Sequence, residues 1–129
     1  MALLSAIVPC FNEEDNIADF YREFIKNRDF FAEKALEYEI LFIDDGSTDR
    51  TVHEIKRLHE EDKGVRLVSF SRNFGKEAAM YAGFSHARGD YVVTMDADLQ
   101  DPPSLLPEMF AGIEEGYDSV ATRRFSRKG

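Results

Sequence analysis

Short β-rich apolar runs alternate with helical stretches along all 129 residues, and this alternation admits very few folds. Residues 3–8 form an apolar run closed by Pro9, which reads as a buried strand. Asn12 followed by Glu13, Glu14 and Asp15 predicts a helix start, a capping side chain and then acids at the positive end of the helix dipole. Ile17, Phe20, Tyr21, Phe24 and Ile25 continue at helical spacing along one face. Residues 38–43 predict a second strand ending in Asp44-Asp45-Gly46, and Ser47, Thr48 and Asp49 offer caps for a second helix facing inward through Val52, Ile55 and Leu58. Residues 65–70 and 91–95 predict two further strands, with a helical stretch at 75–86 between them. Pro102 and Pro103 break the chain before Ser104, the expected cap of a helix built on Leu105, Leu106, Met109, Phe110 and Ile113. Residues 119–122 predict a fifth strand.

Five strands separated by four helices form a βαβ series. The expected class is α/β, a mainly parallel sheet with helices on both faces, in one domain over residues 1–129. Right-handed crossovers gather the loops that follow the strands at one sheet edge, where ligands bind in such folds.

Charge narrows the ligand. The chain has 16 Lys and Arg against 25 Asp and Glu, a formal net charge of −9. All four basic residues of the last ten, Arg123, Arg124, Arg127 and Lys128, lie beyond the final acid, so the body of the chain is more acidic still. A phosphate backbone selects a basic face, so the charge disfavours a general nucleic-acid binder. Any anionic ligand needs a special device to bind here. The single cysteine, Cys10, rules out an internal disulfide and reads as a small buried thiol. His53, His59 and His86 fall at spacings that put no pair on one helical face, and they read as surface or satisfied side chains. The longest apolar stretch falls far short of the ~20 residues that span a bilayer, and no basic n-region precedes it. A cytoplasmic location is the expectation.

Three loops carry candidate chemistry. Asp96-Ala97-Asp98-Leu99-Gln100 follows the fourth strand, and two carboxylates at i and i+2 can converge on one divalent cation, with Gln100 adding a neutral oxygen. Oxygen-only ligation favours Mg²⁺ or Mn²⁺ over zinc. In isolation such a string equally suits a solvated acidic loop, and its place at a strand's carboxyl end favours the ligand reading. Asp44-Asp45 ends another strand. Adjacent acids there repel and contribute nothing evident to folding, so one is expected to accept ligand N–H or ribose hydroxyl groups, while Asp49 serves the helix start. Ser71-Arg72-Asn73-Phe74-Gly75-Lys76 opens a helix, where the positive helix end, Arg72 and Lys76 suit an anion. No GxxxxGK[ST] or GxGxxG occurs.

Together these loops resemble family 2 glycosyltransferases of the GT-A fold, nearest to the polyprenyl-phosphate sugar transferases. The resemblance rests on Ile7-Val8-Pro9-Cys10-Phe11-Asn12-Glu13-Glu14, Asp44-Asp45-Gly46-Ser47-Thr48-Asp49, Ser71-Arg72-Asn73-Phe74-Gly75-Lys76-Glu77 and Met95-Asp96-Ala97-Asp98-Leu99-Gln100-Asp101-Pro102-Pro103. It implies the Rossmann-like, nucleotide-binding half of a GT-A fold and a nucleoside-diphosphate sugar donor. Pro9, Phe11 and Glu13 would line the nucleotide pocket, Asp45 with Asp44 beside it would hold base or ribose, and Lys76 and Ala97 would border the donor. Asp96 would face ribose and sugar. Asp98 and Gln100, with Asp96, would ligate Mg²⁺ or Mn²⁺, and Arg123, preferred to its neighbour Arg124 only on spacing, would sit near the phosphates as a second catalytic group with Asp98. The implied reaction is inverting transfer to a polyprenyl phosphate at the cytoplasmic face of a membrane. Members of the family continue through an acceptor segment and membrane helices, so the expectation is a donor-binding part of a longer enzyme, without those segments. Two rivals fit less well. A receiver domain wants its paired acids after the first strand and a lysine after the fifth, and an Asp-x-Asp phosphatase wants its motif after the first core strand.

Overall fold

In the computed structural model, residues 1–100, 102–114, 119–120 and 125–127 are described, the last few (113–114, 119–120 and 125–127) as backbone only. Strand β1 (Ala2–Cys10) lies parallel to β2 (Leu36–Asp44), with Ala2 opposite Leu36 and Cys10 opposite Asp44. Strand β3 (Val65–Ser69) adds to β2, and β4 (Tyr91–Thr94) adds to the other side of β1, both parallel. Strands β5 (Ser119–Val120) and β6 (Phe125–Arg127) extend the sheet antiparallel, in the order β3-β2-β1-β4-β6-β5. The expected parallel sheet is therefore present in four strands. The fifth strand is antiparallel to β6, a partner strand in the basic tail that sequence reading did not foresee; residues 121–122 of the expected strand lie outside the described residues.

Central strands read as continuous apolar runs because both faces are covered. Ile40, Leu41, Phe42 and Ile43 are all fully buried. Successive side chains alternate between two cores: Leu4, Ala6, Val8, Ile40 and Phe42 face one way, Ile7, Leu41 and Ile43 the other. The first core is covered by α1 (Ile17–Ile25), α2 (Arg28–Glu33), α3 (Thr51–Glu61) and α5 (Leu106–Glu114). Aromatic rings fill it: Phe20 meets Phe42 edge-on at 5.9 Å, and Phe24 meets Tyr38 at 5.4 Å. The second core is covered by α4 (Lys76–His86). That helix lies tight on β1, since a Cβ at Gly83 would stand 2.3 Å from Ile7 Cγ2. Gly83→Ala is expected to cost about 1–3 kcal/mol by overpacking. Thermal denaturation measures it, and an unchanged midpoint would contradict the packing.

Two expected helix starts moved. The first helix begins at Ile17, not after Asn12, and the last begins at Leu106 after a 3₁₀ turn (Pro103–Leu105) that contains Ser104 rather than being capped by it. Helix α2, a short turn after Asn27, had no distinct sequence signal.

At the opposite sheet edge from the strand carboxyl ends, Asp62 accepts hydrogen bonds from Tyr21 (2.7 Å), Tyr38 (2.5 Å) and the Gly64 N–H (2.8 Å). Desolvation works against its ionisation, but these donors outweigh it and hold the carboxyl below the usual carboxylate range. A depressed carboxyl contributes stability above its unfolded pKa, near 3.9, and loses it as pH falls through the folded value. Asp62→Asn should therefore cost about 1–2 kcal/mol at pH 7, with the difference shrinking below about pH 4. Urea unfolding at pH 7 and pH 3 measures both; a pH-independent difference would rule out the ionised form as the cause.

Candidate functional site

A cleft of about 320 Å³ opens where β1, β2 and β4 end. Its β1 wall is Pro9, Cys10, Phe11 and Glu13. Asn12 adopts a left-handed backbone (φ 52°), so the segment after β1 turns instead of beginning a helix. Its contacts explain why. The Asn12 N–H donates to Ser47 Oγ (2.8 Å), Asn12 Oδ1 accepts from the Thr48 N–H (2.9 Å), and the Glu13 N–H donates to Thr51 Oγ1 (2.9 Å). Asn12 thus laces the β1 loop to the β2 loop rather than capping a helix. Phe11 is left 44% exposed at the cleft, and Glu13 Oε2 accepts from Asn16 Nδ2 at 2.6 Å. Asp49 does serve the start of α3, accepting the Thr51 N–H at 2.9 Å.

The β2 end separates the two adjacent acids. Asp44 is buried, accepts from Ser47 N–H (3.3 Å) and Ser69 Oγ (3.4 Å), and does not reach the cleft. It holds the turn between β2 and α3. Asp45 lines the cleft, yet its carboxylate accepts the Phe74 N–H at 2.7 Å and the Gly75 N–H at 3.1 Å. Both acids therefore contribute to folding, contrary to the expectation that adjacent acids gain nothing there. The positive end of α4, expected to attract a ligand anion, already carries Asp45 as its anion. Gly46 makes this approach possible, since its φ is +79° and a Cβ there would stand 2.3 Å from the backbone of Arg72. Arg72 itself stacks over the Phe74 ring at 4.7 Å and is not among the cleft residues.

Lys76, on the first turn of α4, reaches across the cleft to Asp96, Nζ to Oδ1 at 3.4 Å. The lysine side chain is 58% exposed, so the pair is weak and its partners remain available to a ligand.

Strand β4 delivers the rest. The Met95 N–H continues the ladder onto Ile7 O (2.9 Å), and strand-like alternation persists past the strand. Met95 and Ala97 are buried and Leu99 packs on the main core, whereas Asp96 is half-buried and Asp98 and Gln100 are exposed; all three of these line the cleft. A positive φ at Leu99 (67°) closes the turn, and Asp98 Oδ1 accepts the Gln100 N–H at 3.2 Å. Two carboxylates and an amide oxygen on one wall are the donor set that Mg²⁺ or Mn²⁺ takes. Among the described residues no three His, Cys, Asp or Glu side chains gather as a complete cage, so a cation here would need ligand oxygens as well.

Nine expected site residues, Pro9, Phe11, Glu13, Asp45, Lys76, Asp96, Ala97, Asp98 and Gln100, come together in this cleft. Asp44 does not, and Arg123 lies outside the described residues. Two cleft residues escaped sequence reading: Ala79, identifiable only as the small residue one turn before Gly83, and Cys10, on the β1 wall. Burial, then the carboxylates of Asp44 and Glu13, push the Cys10 thiol far up, so it stays protonated and is no nucleophile.

The model for "Glycosyl transferase family 2" matches residues 5–129. The chain belongs to that family. A Bacillus subtilis protein assigned as a glycosyltransferase, CsbB, is 48% identical over 98% of this chain and 37% of its own length. The prophage bactoprenol glucosyl transferase homolog of Escherichia coli is 44% identical over 96% of this chain and 40% of its own. The undecaprenyl-phosphate 4-deoxy-4-formamido-L-arabinose transferase of Proteus mirabilis is 39% identical over 97% and 38%. This family 2 domain thus spans about two fifths of the length of the curated relatives it matches. Among solved structures, mannosyltransferase PcManGT from Pyrobaculum calidifontis, in complex with GDP-Man and Mn²⁺, superposes with a TM-score of 0.63 at 31% identity, covering 74% of this chain and 27% of that one. S. aureus TarS 1–349 in complex with UDP gives 0.69 at 26%, covering 87% and 32%. The family 2 domain shares the GT-A fold of these neighbours. The family match also sets aside the receiver and phosphatase readings.

Proposed function

We propose that the domain binds a nucleoside-diphosphate sugar with Mg²⁺ or Mn²⁺ and serves as the donor-binding part of an enzyme that transfers the sugar, with inversion, to a polyprenyl phosphate at the cytoplasmic face of a membrane. The observation that carries this is the convergence of Asp96, Asp98 and Gln100 with Glu13, Asp45 and Lys76 in one cleft at the strand ends. A diphosphate about 4 Å from these carboxylates meets roughly 4 kcal/mol of repulsion per charge pair at an effective dielectric near 20. A divalent ion held by Asp98 and Gln100, with Asp96, would convert that repulsion into attraction and stabilise the charge on the leaving diphosphate.

The chain's own residues do the rest. Lys76 adds a cation from across the cleft, and the exposed Phe11 ring with Pro9 offers an apolar face to the base. Asp45, held by α4, borders the ribose, and Ala97 leaves room beside the sugar. Arg123 is proposed for the phosphates by its place after the fifth strand. The acceptor phosphate is ionised at neutral pH, so transfer needs no strong general base. The names of the bactoprenol and undecaprenyl-phosphate relatives support the lipid acceptor. No helix among the described residues is long and apolar enough to cross a membrane.

Membranes carrying the full-length gene product, incubated with undecaprenyl phosphate and a panel of radiolabelled nucleotide sugars, test this reading. Label should pass from one donor into lipid with inverted anomeric configuration, and only with Mg²⁺ or Mn²⁺. Absence of labelled lipid with every donor would contradict it.

A further inference from the structure

The loop that carries Asp96, Asp98 and Gln100 is held at both ends by specific hydrogen bonds. Upstream, the Met95 N–H donates to Ile7 O on β1. Downstream, the carbonyl of Pro103, first residue of the 3₁₀ turn, accepts from the side chain of Asn27 at 2.9 Å. Asn27 comes from the junction between α1 and α2, 76 residues away in sequence. It occupies the N-cap position of α2, where an asparagine ordinarily turns its side-chain oxygen onto its own helix; here it makes no such cap. Its amide nitrogen instead donates to two carbonyls, Phe24 O at 3.2 Å and Pro103 O. The residue is 7% exposed. Asn27 is thus buried with its donor shared between the last turn of α1 and the 3₁₀ turn, and its side chain does not cap α2.

We propose that Asn27 is a positioning residue for the Asp96–Gln100 wall of the cleft, fixing the height at which Asp98 and Gln100 stand. The inference rests on the donor-site reading given above. Cation sites tolerate errors of only about 0.5 Å in their ligands, and loss of the groups that hold ligands in place typically weakens metal affinity 10- to 100-fold. Asp98 and Gln100 are exposed, so their positions depend on the backbone that carries them, which is held by Leu99 on the main core, by Met95 on β1 and by the 3₁₀ turn whose Pro103 carbonyl accepts from Leu106 N–H as well as from Asn27.

The test is calorimetric titration of GDP and UDP, with and without Mn²⁺, into the parent chain, Asn27→Leu and Phe31→Leu. Phe31 is a buried neighbour on α2 and serves as a packing control. All titrations are run at a temperature where circular dichroism shows each variant folded. Asn27→Leu should weaken the Mn²⁺-dependent binding about 10-fold while leaving metal-free nucleotide affinity unchanged, and Phe31→Leu should leave both unchanged. If Asn27→Leu does not fold, Asn27→Ser, smaller and too short to reach Pro103, should show the same selective loss. Equal Mn²⁺-dependent binding by parent and Asn27 variants, or an equal loss in Phe31→Leu, would overturn the role of Asn27. Absence of Mn²⁺-dependent binding in the parent chain would overturn the donor-site reading, and this inference with it.

Discussion

Asp98→Ala is expected to abolish the metal-dependent component of nucleoside diphosphate binding, a loss of at least about 100-fold, while leaving the fold intact. The side chain is exposed, and its one hydrogen bond among the described residues is to the N–H of Gln100, so its removal touches no described core residue. Surface changes of this kind shift stability by no more than about 0.5 kcal/mol. The large effect is expected from electrostatics: in the proposed site, without Asp98 a cation would lose its most accessible carboxylate, and a diphosphate would face Asp96 and Asp45 unshielded. Calorimetry with and without Mn²⁺ measures the binding, and thermal denaturation the stability. Retained metal dependence in this variant would move the cation elsewhere.

The second large effect is at Asp45, and it is on the fold as much as on the site. Asp45→Ala leaves the N–H groups of Phe74 and Gly75 without their charged acceptor, at an expected cost of about 3 kcal/mol. Because those residues begin α4, Lys76 loses its fixed place across the cleft from Asp96. Asp45→Asn, which keeps one oxygen acceptor, should recover roughly half of the stability. Urea unfolding supplies the energies, and amide hydrogen exchange at residues 74 and 75 locates them. A fully stable Asp45→Ala variant with both amides still protected would show that the loop is held by something else.

Contrasts among these residues show what can be read from the sequence. The strands were legible because the apolar runs of β1 and β2 are continuous, and α1 because Ile17, Phe20 and Phe24 recur on one face and are all buried. The cleft wall at 96, 98 and 100 was legible for the same local reason. Alternation that begins in β4 carries on through Met95, Ala97 and Leu99, so the polar residues between them must face outward. Where reading failed, the deciding contact was distant. Asn12 followed by three acids has good local helix chemistry, but Ser47 and Thr51, some 35 residues on, accept the N–H groups of Asn12 and Glu13, and the Thr48 N–H takes the Asn12 side chain. Asp44 and Asp45 are indistinguishable as neighbours in sequence. Their roles part because β2 sends one side chain into the body of the domain and the other toward the amides of residues 74 and 75. The antiparallel pairing of β5 with β6 was hidden because the basic tail shows no apolar run to mark a strand.

The acidic balance of the chain, −9 overall, links the fold to the chemistry. In the proposed reading an acidic cleft binds a diphosphate through a cation, and metal dependence is its central claim. Calorimetric titration of the parent chain with UDP- and GDP-sugars, in Mn²⁺ and again in EDTA, measures it most directly. The account predicts saturable binding of at least one donor in Mn²⁺ and a loss of at least about tenfold in EDTA. Binding of equal strength in both conditions, or none in either, would contradict it.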